Sequence, residues 1–114
     1  MLDALFAAAS DDADIRSKTA SQESLEQLVS QMDNCVSATA ALAPSNQIKV
    51  IAEIKRASPS MGDLAAIPSA AALAFTYQQS GAHAISVLTE RTGFKGSLHD
   101  LESASANVQI PTLR

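Results

Sequence analysis

The chain has 114 residues, 46% of them apolar, with only four aromatics and a net charge of 8 − 12 = −4. The apolar share excludes a disordered chain, while its dispersal in short runs leaves no stretch of the roughly 20 residues a membrane span needs, so one soluble domain or part of one is expected. No Lys/Arg run offers the footprint of a nucleic-acid binder, lone Cys35 cannot form an internal disulfide, and the start M-L-D-A-L-F-A-A-A-S lacks the basic residues of a secretory signal, which together predict a cytoplasmic protein with neither nucleic acid nor membrane as partner.

Residues 1 to 49 hold seven acids and three bases, whereas 50 to 114 hold five of each, so the acidity belongs to the N-terminal part. Leu2, Leu5, Phe6 and Ala9 suggest a short apolar turn, and the polar segment Asp11 to Thr19, which has no hydrophobic period, reads as a solvated connection. Leu25, Leu28, Val29, Met32, Cys35 and Val36 then recur at steps of three and four. That spacing predicts a helix from about Ser21 to Ala43, capped by Ser21 or Ser24, with its stripe and Cys35 packed on a core. Pro44-Ser45-Asn46 should end it.

From Ile48 the period changes to two. In I-K-V-I-A-E-I-K-R, Val50, Ala52 and Ile54 share one strand face while Ile51, Glu53 and Lys55 share the other. A loop, Ala57 to Asp63, leads to a helix from about Pro68 to Ser80 with Leu73, Ala74 and Tyr77 inward and Gly81 as its stop. A-I-S-V-L, Ala84 to Leu88, reads as a strand covered on both faces. After the loop Thr89 to Gly96, S-L-H-D at Ser97 is a box-like cap for a helix to about Asn107, and V-Q-I-P-T-L-R begins a third strand. The order βαβαβ predicts a parallel α/β sheet. A sheet stopping at its third strand leaves an edge unpaired, so a fragment is expected, and S-P-S-M-G in place of G-x-G-x-x-G disfavours a dinucleotide fold.

Glu53 and Lys55, with Cα atoms about 6.6 Å apart on strand geometry, put an acid and a base on one face at the strand's carboxyl end. On a barrel strand that is where catalytic groups sit, although a buried ion pair that only supports the fold explains the spacing equally well. His83 and His99 lack the paired spacing of zinc ligands, so no metal is expected. Glu90 and Arg91 read as a solvated loop pair, and Gly62, Gly81, Gly93 and Gly96 as turn residues with unusual backbone angles.

The strings V-I-A-E-I-K-R-A-S-P-S-M-G (Val50 to Gly62), G-A-H-A-I-S-V-L-T-E (Gly81 to Glu90), F-K-G-S-L-H-D-L (Phe94 to Leu101) and I-P-T-L-R (Ile110 to Arg114) resemble, in order and spacing, the indole-3-glycerol phosphate synthase family of tryptophan biosynthesis. The resemblance implies the N-terminal part of a (β/α)8 TIM barrel: residues 1–47 as a helical extension, and 48–114 as the first two βα units and the start of a third strand. It implies a carboxy-lyase that converts 1-(2-carboxyphenylamino)-1-deoxyribulose 5-phosphate to indole-3-glycerol phosphate, carbon dioxide and water. No metal or organic cofactor is involved, the partner is that small phosphorylated substrate, and fusion to or association with other tryptophan-pathway domains fits the pattern. Glu53 matches the family's strand-one glutamate, a proton-transfer and positioning group. Lys55 matches its strand-one lysine, which meets the substrate's anionic groups. Ser58 matches the serine of the S-P-S turn that holds substrate, and Phe94 an aromatic beside the anthranilate ring. Met61 and Thr92-Gly93 depart from the family's usual residues. So does the length, because the family continues after the position of Arg114 with K-D-F, whose lysine is a principal general acid. The 114 residues alone are therefore expected to be inactive, with a noncatalytic remnant or an interacting half-barrel as the alternative.

Overall fold

The computed structural model describes residues 2–114. They form two compact units, one ending at Cys35 and one spanning Val36–Arg114.

In the first unit, α1 runs Leu2–Ser17 and α2 runs Gln22–Ser30. The solvated connection expected over Asp11 to Thr19 is mostly helix: alanine-rich sequence favours helix without any apolar stripe, and Asp3 in the first turn with Arg16 in the last complements the helix dipole. The helix expected to reach Ala43 stops at Ser30, where Asp33, Asn34 and Ser37 are weak helix formers. Ser21 does cap it, accepting from the Ser24 N–H at 3.2 Å. Its stripe is not buried, since Leu25, Leu28, Val29 and Met32 keep 50 to 67% of their surface, and Cys35 is exposed instead of packed in a core. No helix among the described residues is long and apolar enough to cross a membrane.

The second unit opens with the short α3, Ala38–Ala41, capped by Ser37. Strand β1, Ile51–Ile54, is followed not by a plain loop but by a small hairpin of β2, Ala57–Ser58, and β3, Gly62–Asp63. Pro59 follows Ser58 at the bend, the Met61 N–H returns to the Ser58 carbonyl at 3.3 Å, and Gly62 takes a positive φ of 69°. Helix α4, Ala70–Gln79, starts on Ser69 and stops at Gly81, whose φ of 94° suits glycine. Strand β4 is Ala84–Val87, α5 is Leu98–Ser105 and β5 is Thr112–Leu113. Gln78 ties α4 to the segment that leads into β5, its Oε1 accepting from Gln109 and Ile110 N–H at 2.6 and 3.2 Å.

Strands β1, β4 and β5 make a parallel sheet in that order, with Ala52 opposite Ile85, Ile54 opposite Val87, Glu53 opposite Ser86, and Ser86 opposite Leu113. Parallel pairing places register partners on the same face, so the sheet has two unlike sides. One side carries Ala52, Ile54, Ile85 and Val87, and it packs on Ala70 and Ala74 of α4 and Ala104 of α5. Ile54, Ile85, Val87, Ala74 and Ala104 are 0 to 2% exposed, and the alanines let both helices approach the sheet closely. The other side carries Ile51, Glu53, Ser86 and Leu113, and Ile51 and Leu113 retain 48 and 42% exposure. This α/β arrangement, one helix layer on a parallel sheet, sends all three strands to the same edge.

Candidate active site

That carboxyl edge is where open α/β sheets gather ligands and chemistry. Glu53 lies in β1 and Lys55 just after it, both on the side not covered by helices, and they meet as an ion pair, Nζ to Oε1 2.8 Å. Their side chains are 42 and 33% exposed, so water still reaches both groups and the contact can open at modest cost. The structure thus brings together the acid and base that the two-residue spacing had placed on one face.

Arg56, the next residue, points the opposite way and is partly buried, its side chain keeping 29% exposure. Its Nε and Nη2 donate to the two carboxylate oxygens of Asp100 at 2.9 and 2.7 Å, while Nη1 donates to the Ile67 carbonyl at 2.7 Å. Asp100 is the acid of the S-L-H-D cap. Ser97 performs its half of that cap, accepting from the Asp100 N–H at 3.0 Å, but the Asp100 carboxylate turns to Arg56. The fork of hydrogen bonds to Asp100 holds the guanidinium charged beyond its ordinary range, and the same bonds hold the Asp100 carboxyl below the usual carboxylate range against the opposing effect of burial. Sequence gave no sign of this pair, because its members are 44 residues apart.

The loop after β4 is built around Glu90. Its Oε1 accepts from the Thr92 N–H at 2.7 Å, and its Oε2 from Gly93 and Phe94 N–H at 2.7 and 3.1 Å. Its own carbonyl accepts from the Gly96 N–H at 2.9 Å. Partial burial pushes the Glu90 carboxyl up, but the donors from Thr92, Gly93 and Phe94 together outweigh it, leaving the group below the ordinary carboxylate range. Glu90 is therefore not a solvated loop residue; it folds the loop around its own carboxylate. Lys95 takes a positive φ of 53° and pairs with Asp63 of β3. Gly96 is fixed by space and not by an unusual angle, since a Cβ there would stand 1.8 Å from the Leu88 carbonyl oxygen.

The two loops touch through the main chain, where the Ala57 N–H donates to the Phe94 carbonyl at 3.1 Å. Phe94, half-buried, therefore sits beside the start of the hairpin that carries Ser58, whose Oγ accepts from the Met61 N–H at 3.2 Å. From the third strand, Arg114 Nε donates to Thr89 Oγ1 at 2.9 Å, joining the ends of β5 and β4. A cleft of about 280 Å³ lies beside the hairpin, lined by residues 63–67 with Arg56 and Lys95; Glu53 and Lys55 do not line it. His83 is occupied at the opposite edge, its Nδ1 accepting from the Val50 N–H at 3.2 Å.

Comparison with known proteins agrees with this layout. A family model described as indole-3-glycerol phosphate synthase matches residues 2–114. An indole-3-glycerol phosphate synthase of Leifsonia xyli subsp. xyli is 65% identical over 74 residues, covering 65% of this chain and 28% of the relative. One of Parafrankia sp. is 48% identical over 104 residues, 90% of this chain and 38% of the relative. One of Paenarthrobacter aurescens is 43% identical over 118 residues, covering 100% of this chain and 43% of the relative. The chain spans between 28 and 43% of the length of these relatives.

Proposed function

The chain belongs to the indole-3-glycerol phosphate synthase family, and from that membership we propose that it supplies the first strands of a (β/α)8 barrel and the Glu53–Lys55 part of its active site. The substrate of this reading is 1-(2-carboxyphenylamino)-1-deoxyribulose 5-phosphate. The arene carbon attacks the ketone, the ring carboxyl leaves as carbon dioxide and the hydroxyl leaves as water, giving indole-3-glycerol phosphate. Each step moves a proton onto or off oxygen or carbon. The observation that carries the assignment is the 2.8 Å contact between a carboxylate and an ammonium at the carboxyl end of a sheet strand, on the side that helices do not cover.

In this reading the Lys55 ammonium exchanges Glu53 for an anionic group of the substrate and donates to it, and Glu53 moves and positions protons. Ser58 presents its hydroxyl from the hairpin. The Phe94 ring lies against the anthranilate ring, orienting the arene for attack. The uncovered face of the sheet, with Ile51 and Leu113 half-exposed, is the interior of the barrel. Because four groups on two loops and one strand complete only part of such a site, the 114 residues alone carry no turnover.

The test is Glu53→Gln in the full-length protein carrying these residues. Turnover is expected to fall about 100-fold or more, the usual scale for loss of an acid–base group, with the melting temperature retained. Unchanged turnover would remove Glu53 from the mechanism.

A further inference from the structure

We propose that Glu90 is a positioning residue for the substrate's aromatic ring: by gathering the N–H groups of Thr92, Gly93 and Phe94 around its own carboxylate, it fixes where Phe94 stands at the rim of the sheet. The proposal rests on the reading of Phe94 as a ring contact. The geometry behind it is a loop closed at three levels. The carboxylate holds three successive amides, the Glu90 carbonyl holds the Gly96 N–H at 2.9 Å, and Gly96 lies so close to the end of β4 that a Cβ would overlap the Leu88 carbonyl. Residues 90 to 96 therefore form a turn folded on itself, anchored to the strand at both ends. The Phe94 N–H donates the last of the three bonds to the carboxylate, and the Phe94 carbonyl accepts from the Ala57 N–H at 3.1 Å. Its backbone is held from both sides, leaving only side-chain rotation free. A flat ring is an effective guide for an arene only when its backbone is fixed in this way, since an ångström of drift misaligns the attacking carbon.

Two features of the chemistry single out glutamate at this position. Both carboxylate oxygens are used, one for Thr92 and one shared by Gly93 and Phe94, and a carboxylate accepts at both oxygens without donating. A glutamine would turn an NH2 toward N–H donors, opening one half of the turn. The carboxyl is also held below its usual range by these donors despite partial burial, so the ionised form is the one the loop is shaped around.

The experiment uses the full-length protein carrying these residues. Amide hydrogen exchange is read at residues 92–94, and affinity is read by titration with the substrate whose ketone has been reduced to an alcohol, which binds but cannot cyclise. In the wild type, the amides of Thr92, Gly93 and Phe94 are expected to exchange more slowly than in an open loop. Exchange there at open-loop rates would overturn the proposal without any variant. In Glu90→Gln, exchange at the three amides should rise about 10-fold or more while the β4 amides stay protected, and the dissociation constant should rise about 10-fold. Glu90→Asp, which keeps two acceptor oxygens and can still reach the Thr92 amide, should recover most of the affinity. Faster exchange in Glu90→Gln with unchanged affinity would make the carboxylate a fold staple only, and the proposal would fail. Phe94→Ala separates the two readings: affinity lost there but kept in Glu90→Gln overturns the role of Glu90 alone, and affinity kept in Phe94→Ala overturns the ring contact and this inference with it.

Discussion

Arg56 and Lys55 are neighbours with opposite fates. Lys55 faces an open surface beside Glu53, while Arg56 turns to the helix side, to Asp100 and the Ile67 carbonyl. The partly buried pair ties the end of β1 to the start of α5, while the Glu53–Lys55 pair stays accessible to solvent. Asp100→Ala removes two charge-assisted hydrogen bonds and leaves a partly exposed guanidinium, and is expected to cost about 1 to 3 kcal/mol, measurable by urea unfolding. Acid should show the same dependence. Asp100 and Glu90 both ionise more readily in the fold than in an unfolded chain, so their contribution is complete above the unfolded carboxylate range, about pH 4, and is lost as pH falls through their lower folded values. Stability measured against pH should drop below about pH 4, and Asp100→Asn should flatten that drop. Arg56, raised above an already high value, adds nothing to the slope in this range.

Helices and strands place these side chains, and their stability divides between caps and core. α2, α3, α4 and α5 each open on a serine, and Ser69 accepts from the Ala72 N–H at 3.1 Å. Ser69→Ala should cost about 1 kcal/mol. Ile85, fully buried between the sheet and its helices, should cost about 2 to 5 kcal/mol when cut to alanine. The thermal melting temperatures of the two variants should therefore differ widely. The second unit was the more legible in sequence because its signals are local: a period of two over Val50 to Ile54, Pro68 ahead of a helix and Gly81 behind it, and an apolar run at Ala84. α1 was missed because alanine favours helix without leaving a period. α2 was overrun because Cys35 and Val36 continue its spacing past a non-helical break. That Glu53 and Lys55 share one face was legible from strand alternation; their catalytic reading came from the family resemblance. The Glu90 turn was not, because a carboxylate that binds the next few amides has no spacing signature, and the same loop composition is compatible with a solvated acid.

Among the described residues, the parallel sheet β1-β4-β5 has helices on one side and outer edges on β1 and β5 that pair with no further strand. A barrel interior in the proposed reading needs further strands on both edges. The purified 114-residue chain is accordingly expected to form no indole-3-glycerol phosphate, and activity should return when the remaining portion of a relative such as the Leifsonia xyli enzyme is co-expressed with it. Turnover by the 114 residues on their own would show that the two βα units already hold a working site. Co-expression that leaves the assay blank despite a stable complex would count against the barrel reading.

The contact between Gly96 and the Leu88 carbonyl has a genetic consequence. Every missense change at a glycine codon installs a Cβ, and here the obstacle is a peptide oxygen just past the end of β4, which cannot swing aside as a side chain can. The codon therefore has no neutral missense neighbours. Drift in this gene can rewrite the tip of the loop, but not the residue on which the loop closes, and a saturation library at position 96 should return glycine and little else.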